Sequence, residues 1–158
     1  MDINQQLQIL IEQAPQDGTT PEIIAQAVNP ALKTFATKLK QTDYFVCKSI
    51  QGDWLLTTLG NRQDPTLEKK VIYAFCTLDR AKTFQKQQAD PQLTAQAMPV
   101  THILFQLFSI KNLDSLIFME NVHKLNQGTE IHRIDLQNAI QAELRQYQQN
   151  KANIGRFA

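Results

Sequence analysis

The order of apolar patterns predicts an α/β (α+β) domain: a mixed β-sheet of about five strands with helices packed on it, preceded by N-terminal helices. Three observations carry that expectation. Apolar residues recur at three- and four-residue spacings up to about residue 41, which is the period of a helix face. The period shifts at Asp43 to a run rich in aromatic and β-branched residues, as strands require. From Val71 onward strand-like and helix-like segments alternate, and that alternation implies a sheet covered by helices.

Within the first region, Ile3, Leu7, Leu10 and Ile11 mark one helix face, ended by Pro15, Asp17 and Gly18. Thr20 before Pro21 reads as a start, with a hydroxyl cap and proline at the first helical position. Asn29-Pro30 repeats the device, so a break is expected there and a new helix from Pro30 to about Lys40, with Leu32, Phe35 and Leu39 inward. Residues 43–60 read as a hairpin. Tyr44 to Ile50 and Trp54 to Leu59 are its strands and Gln51-Gly52-Asp53 its turn, placed near a sheet edge. Residues 61–70 are polar and read as an exposed loop.

In the region from 71 to 150, Val71 to Cys76 is apolar at both parities, as in a strand covered on both faces. Thr77 caps a helix with Leu78, Ala81 and Phe84 inward, and Asp90-Pro91 stops it. Leu93 to Pro99 reads as a short strand. Thr101 caps the next helix, with Ile103, Leu104, Leu107 and Phe108 buried. Leu116 to Met119 is a second strand without a polar face, which makes it central. A loop from Asn121 to Gly128 follows, and a last helix from Arg133 or Asp135 to Asn150 carries the stripe Leu136, Ala139, Ile140, Glu143, Leu144 and Tyr147.

Length and composition bound the rest. The 158 residues suit a single domain, and 42% hydrophobic with 20% charged residues excludes a disordered chain. A formal net charge of +1 gives no bulk footprint for nucleic acid. Lys33, Lys38, Lys40 and Lys48 read as solvated helix and strand positions, so no nucleic-acid partner is expected. The apolar stretch Ile103 to Met119 is interrupted by polar residues, so no membrane span is expected. The first residues lack a basic n-region, and a cytoplasmic location is expected.

Signatures of chemistry are sparse. Cys47 and Cys76 lie in predicted strands and read as small core residues. His102, His123 and His132 show no paired ligand spacing, although His123 and His132 flank one loop with Glu120 and Glu130 close in sequence. Ser49, Ser109 and Ser115 lack the glycines of a nucleophile elbow, and the five glycines form no phosphate cradle. No catalytic residue, metal or cofactor is therefore expected. Trp54 stands out as a single tryptophan past a turn, a residue type enriched at interfaces. Together with Asn121, His123, Gly128 and His132 it forms the expected interaction or ligand patch.

The segment VIYAFCTLDRAKTFQ, then Val100-Thr101-His102-Ile103-Leu104, Leu113 to Phe118, and Glu130-Ile131-His132-Arg133, resembles the N-terminal domain of the SseB-type family. The resemblance runs from about Val71 to Leu144. It departs at Asn121-Val122, where that family often has Asn-Pro, and at the N-terminal helices. It implies the strand–helix arrangement and no particular activity. The functional expectation is a non-catalytic module that binds a protein partner or itself, as a homodimer through the Trp54 strand or the terminal helices. The alternative is a small-molecule-binding protein or enzyme with its site at the loops after the central strands.

Overall fold

A computed structural model describes residues 1–60, 63–64, 66–120 and 128–156. Its elements run α1 (Ile3–Gln13), α2 (Thr20–Ile23), a π-helical turn (Ile24–Val28), α3 (Asn29–Ala36), β1 (Asp43–Lys48), β2 (Thr57–Gly60) and β3 (Glu68–Phe75). They continue with α4 (Leu78–Gln87), β4 (Thr94–Pro99), α5 (Val100–Ser109), β5 (Ser115–Met119), β6 (Thr129–His132) and α6 (Arg133–Arg156). The class is α+β with helices packed on a mixed sheet, as expected, but the sheet has six strands. Among the described residues no helix is long and apolar enough to cross a membrane.

Strand order is β4-β1-β3-β5-β6, with β2 also on β3. The two strands apolar at both parities, β3 and β5, pair in parallel in the middle, Val71 opposite Ser115 and Phe75 opposite Met119. The remaining pairs are antiparallel. The expected hairpin of residues 43–60 is corrected by this order. The turn closes, with Lys48 bridged to Trp54 and the Ser49 N–H donating to the Asp53 carbonyl. Gly52 takes φ +90, which glycine adopts without a Cβ clash. The chain then leaves β1, and Thr57–Gly60 pairs with the first half of β3 instead. Phe45 of β1 pairs with Phe75 at the other end, so β1 and β2 share one edge of β3. β1 is thereby interior, and β4 and β6 form the sheet's ends.

Other expectations shift for local reasons. Asn29-Pro30 does not break the helix. Proline lacks an N–H and its ring collides with the carbonyl four residues back. A wider turn precedes it, closed by the Asn29 N–H on the Ile24 carbonyl, and helical backbone continues through Pro30 to Ala36. Thr20 does not cap its helix either. Asp17 accepts the N–H groups of Thr19 and Thr20 at 3.0 and 2.7 Å, and the Thr20 hydroxyl donates to it. Those bonds hold the Asp17 carboxyl far below the usual carboxylate range. Residues 129–132, between the expected loop and the expected last helix, form the edge strand β6, and the polar loop of 61–70 yields to strand at Glu68. The last helix runs on to Arg156.

Among the described residues α1, the π-helical turn, α3, α5 and α6 supply the helical side of the core over one sheet face. Leu32, Tyr44, Ile72, Leu104, Phe118 and Leu136 are fully buried in the core between them and the sheet. Phe108, expected in that core, is 49% exposed, because its position on α5 turns away from the sheet toward Phe105. Gln6 ties α1 to α5 in place of the Thr101 cap expected from sequence. Its Oε1 accepts the Thr101 N–H at 3.2 Å and the hydroxyl at 2.9 Å, while its amide donates to the Thr42 carbonyl at 2.9 Å. A fully buried glutamine thus supplies a remote helix cap.

Candidate functional site

Among the described residues one helix, α4, lies on the opposite face of the sheet. Its start is local: the Thr77 hydroxyl accepts the Arg80 N–H, as the sequence implied. Ala81 is fully buried, and its carbonyl receives the Cys47 thiol at 3.8 Å. Leu78, expected inward, is 37% exposed. A helix is about 10 Å across and strands are spaced about 4.8 Å, so one helix covers roughly two strands. Here it packs chiefly on β4 and β1 and reaches β3 at one margin.

Alternate residues of β2, β3, β5 and β6 point to this face. Tyr73 and Phe75 of β3, Thr57 of β2 and Met119 of β5 form the floor of a cavity of about 370 Å³, with Phe84, Thr83 and Gln87 of α4 as its wall. Tyr73, Phe75 and Phe84 form a triangle, with ring centroids 6.2, 5.3 and 5.3 Å apart. Arg80 lies at the rim and is engaged with its surroundings. The floor sits at the carboxyl ends of the two parallel strands, where open α/β sheets characteristically hold ligands.

Along the same face, beyond Ile117, the residues become polar. Glu130 accepts from the Lys69 ammonium at 2.7 Å and from the Ser115 hydroxyl at 2.6 Å, with His132 Nε2 at 3.8 Å. Partial burial acts to raise the Glu130 carboxyl, but the Lys69 and Ser115 bonds outweigh it and leave the carboxyl below its ordinary value. Ser115 is fully buried, and its hydroxyl ties β5 to Glu130 of β6. Among the described residues no three of His, Cys, Asp and Glu gather as a metal would need.

The patch expected from sequence is divided. Gly128 lies against this face. A Cβ there would stand 2.7 Å from Ile117 Cγ2 and 2.9 Å from Met119 Sδ, so only glycine lets the backbone approach the cavity floor this closely. His132 is exposed on β6 beside Glu130. Trp54 is on the other face, half-buried against the main core, with the Lys48 ammonium 4.7 Å above its ring. There it lines a groove with Leu10, Met98, His102 and Phe105. Burial pushes the His102 imidazole below its ordinary value, against a 3.1 Å bond with the Gln6 carbonyl. Asn121 and His123 lie outside the described residues.

Of the cysteines, Cys47 is buried and its thiol is pushed up by desolvation, while Cys76 is half-buried against the main core. Sequence reasoning missed Tyr73, Phe75, Thr83 and Met119 as site residues, and Phe84 was taken for ordinary core. A usable signal existed: β3 and β5 demand cover on both faces, yet one ten-residue helix is all that follows β3 before the next strand.

No protein-family model matches this chain, and no curated protein matches it. Among solved structures it is similar to one described as Anabaena Tic22 (protein transport), with 21% sequence identity and a TM-score of 0.37. That likeness covers 57% of this chain and 46% of the other, so it spans less than half of the Tic22 chain.

Proposed function

We propose that the chain is a non-catalytic, cytoplasmic protein-interaction module similar to SseB-type proteins, and that the face under α4 is its recognition surface. The observation that carries this reading is the triangle of Tyr73, Phe75 and Phe84 over Met119, an apolar floor walled on one side by a single helix. Half-buried aromatic and methionine side chains with a polar rim are the composition of a protein-binding hot spot. The floor continues past the cavity to Ile117 and then to the Lys69–Glu130 pair, which suits an extended segment with one apolar anchor better than a compact ligand. Two unpaired cysteines fit a reducing compartment.

A second reading rests on the cavity's position. A volume of about 370 Å³ at the carboxyl ends of β3 and β5 falls within the range of small-molecule sites. Methyl NMR of Met119 separates the two. Short extended peptides carrying one Leu or Phe anchor are titrated in parallel with indole. Saturable movement of the Met119 methyl by peptide, abolished when Thr83→Phe fills the mouth, supports the interaction module. Saturation by indole alone replaces it with the small-ligand reading. A methyl that responds to neither ends both.

A further inference from the structure

We propose that the outer edge of β4 pairs with the same edge of a second copy of this chain, antiparallel, about a two-fold axis at Gln96. The proposal rests on backbone groups and stands apart from the cavity under α4.

β4 is a terminal strand, bonded on one side to β1 and to no described strand on the other. The Val100 N–H donates to the Thr42 carbonyl at 2.9 Å, and Asp43 stands opposite Pro99. In an antiparallel ladder alternate residues turn their N–H and C=O groups to the same neighbour. Thr94, Gln96 and Met98 therefore bond to β1, and Leu93, Ala95, Ala97 and Pro99 face outward. Two of these four are already closed. The Leu93 N–H reaches the Asp90 carbonyl at 3.4 Å and the Leu93 carbonyl accepts from Gln85 at 2.6 Å. Pro99 has no N–H. The open edge is thus a window of two residues, Ala95 and Ala97, whose outward N–H and C=O groups have no partner among the described residues.

Such a window is complementary to itself. With Gln96 on the axis, Ala95 stands opposite the partner's Ala97 and Ala97 opposite the partner's Ala95. All four N–H and all four C=O groups of the two copies are then satisfied, and nothing blocked is brought into the ladder. Thr94–Pro99 holds no ionisable side chain, so identical strands meet without like charges. Thr94, Gln96 and Ala97 are exposed, and Gln96 meets the partner's Gln96, whose amides are mutually donor and acceptor. The other terminal strand offers no equivalent: β6 has four residues and carries Glu130 and His132, which would face like groups.

The test uses the full chain. Light scattering from micromolar to millimolar protein is expected to show a mass rising from 18.0 kDa toward twice that value. Gln96→Lys places two ammonium groups on the axis from an exposed position, and is expected to weaken the dimer about tenfold or more. Gln96→Cys is expected to give a disulfide-linked dimer under mild oxidation. Residues opposed at a non-hydrogen-bonded pair lie about 4.5 Å apart at Cα, within disulfide reach. Thr94→Cys, about 13 Å from its counterpart in this register, is expected not to link. A wild-type mass fixed at 18.0 kDa overturns the proposal. So does a dimer that Gln96→Lys leaves intact, or one that Thr94→Cys links as readily as Gln96→Cys. Because Gln96 lies on the sheet face away from the cavity, peptide effects on Met119 are expected to survive Gln96→Lys.

Discussion

The helix-covered face of the sheet buries Tyr44, Val46, Ile72, Leu116 and Phe118 beneath α1, α3, α5 and α6. The other face leaves Tyr73, Ile117 and Met119 half-buried beside one helix. Both faces come from the same strands, and in β3 and β5 both are apolar. Their difference is one of supply: among the described residues many helical residues lie on one side and the ten of α4 on the other. The polar bonding follows the same division. On the covered side Gln6 and Thr101 are buried and bonded to each other. On the open side the Glu130 cluster keeps contact with water. Among the described residues one face is closed over and the other is left partly bare.

The sharpest way to break this comparison is to truncate one residue on each face. Leu104→Ala empties a fully buried site and is expected to cost about 3–4 kcal/mol. Phe84→Ala, half-buried on the open side, is expected to cost about 1–2 kcal/mol, since water can already reach the space it leaves. Urea midpoints measure both, and equal losses would mean that the open face is as much core as the covered one.

Gln6→Ala tests the polar side of the contrast. It strands the buried Thr101 N–H and hydroxyl, while the Thr42 carbonyl keeps the Val100 N–H, for an expected loss of about 2–3 kcal/mol. A loss below about 0.5 kcal/mol, typical of surface sites, would show that these groups find water instead.

Gly128→Ala sharpens the picture of the open face. The added methyl must push Ile117 and Met119 aside, at an expected cost of about 1 kcal/mol. The Met119 methyl resonance should move as it does so, and an unmoved resonance would separate Gly128 from the cavity floor.

The smallest effect concerns acid. The Glu130 carboxyl has a folded value below its unfolded value near 4.5. Its contribution to stability is therefore present above that value and lost as pH falls through the folded one. Lys69 is 42% exposed, so the contribution is screened and expected to stay below about 1 kcal/mol. Glu130→Gln should flatten the decline in urea midpoint below pH 4.5 slightly. An unchanged slope would assign the decline to Asp17 and Asp64, whose carboxyls are also held low by threonine N–H and hydroxyl bonds.

Local periodicity and local capping determined much of this protein. The α+β class, the central pair β3 and β5, and the Thr77 cap follow from residues adjacent in the chain, because side-chain alternation and first-turn hydrogen bonding are short-range. Partner choice is not short-range. Trp54 to Leu59 has the composition of a hairpin strand, yet β3 offers a longer edge and takes β2 away from β1. Thr129–His132 has too few apolar residues to declare a strand, and becomes one because β5 presents an open edge to it. The cap on α5 comes from Gln6, 95 residues away, and no local pattern records that. The candidate site belongs to the same class. Tyr73, Phe84 and Met119 each read as ordinary apolar positions, and among the described residues it is the tertiary placement of the helices over the sheet that leaves these three partly uncovered.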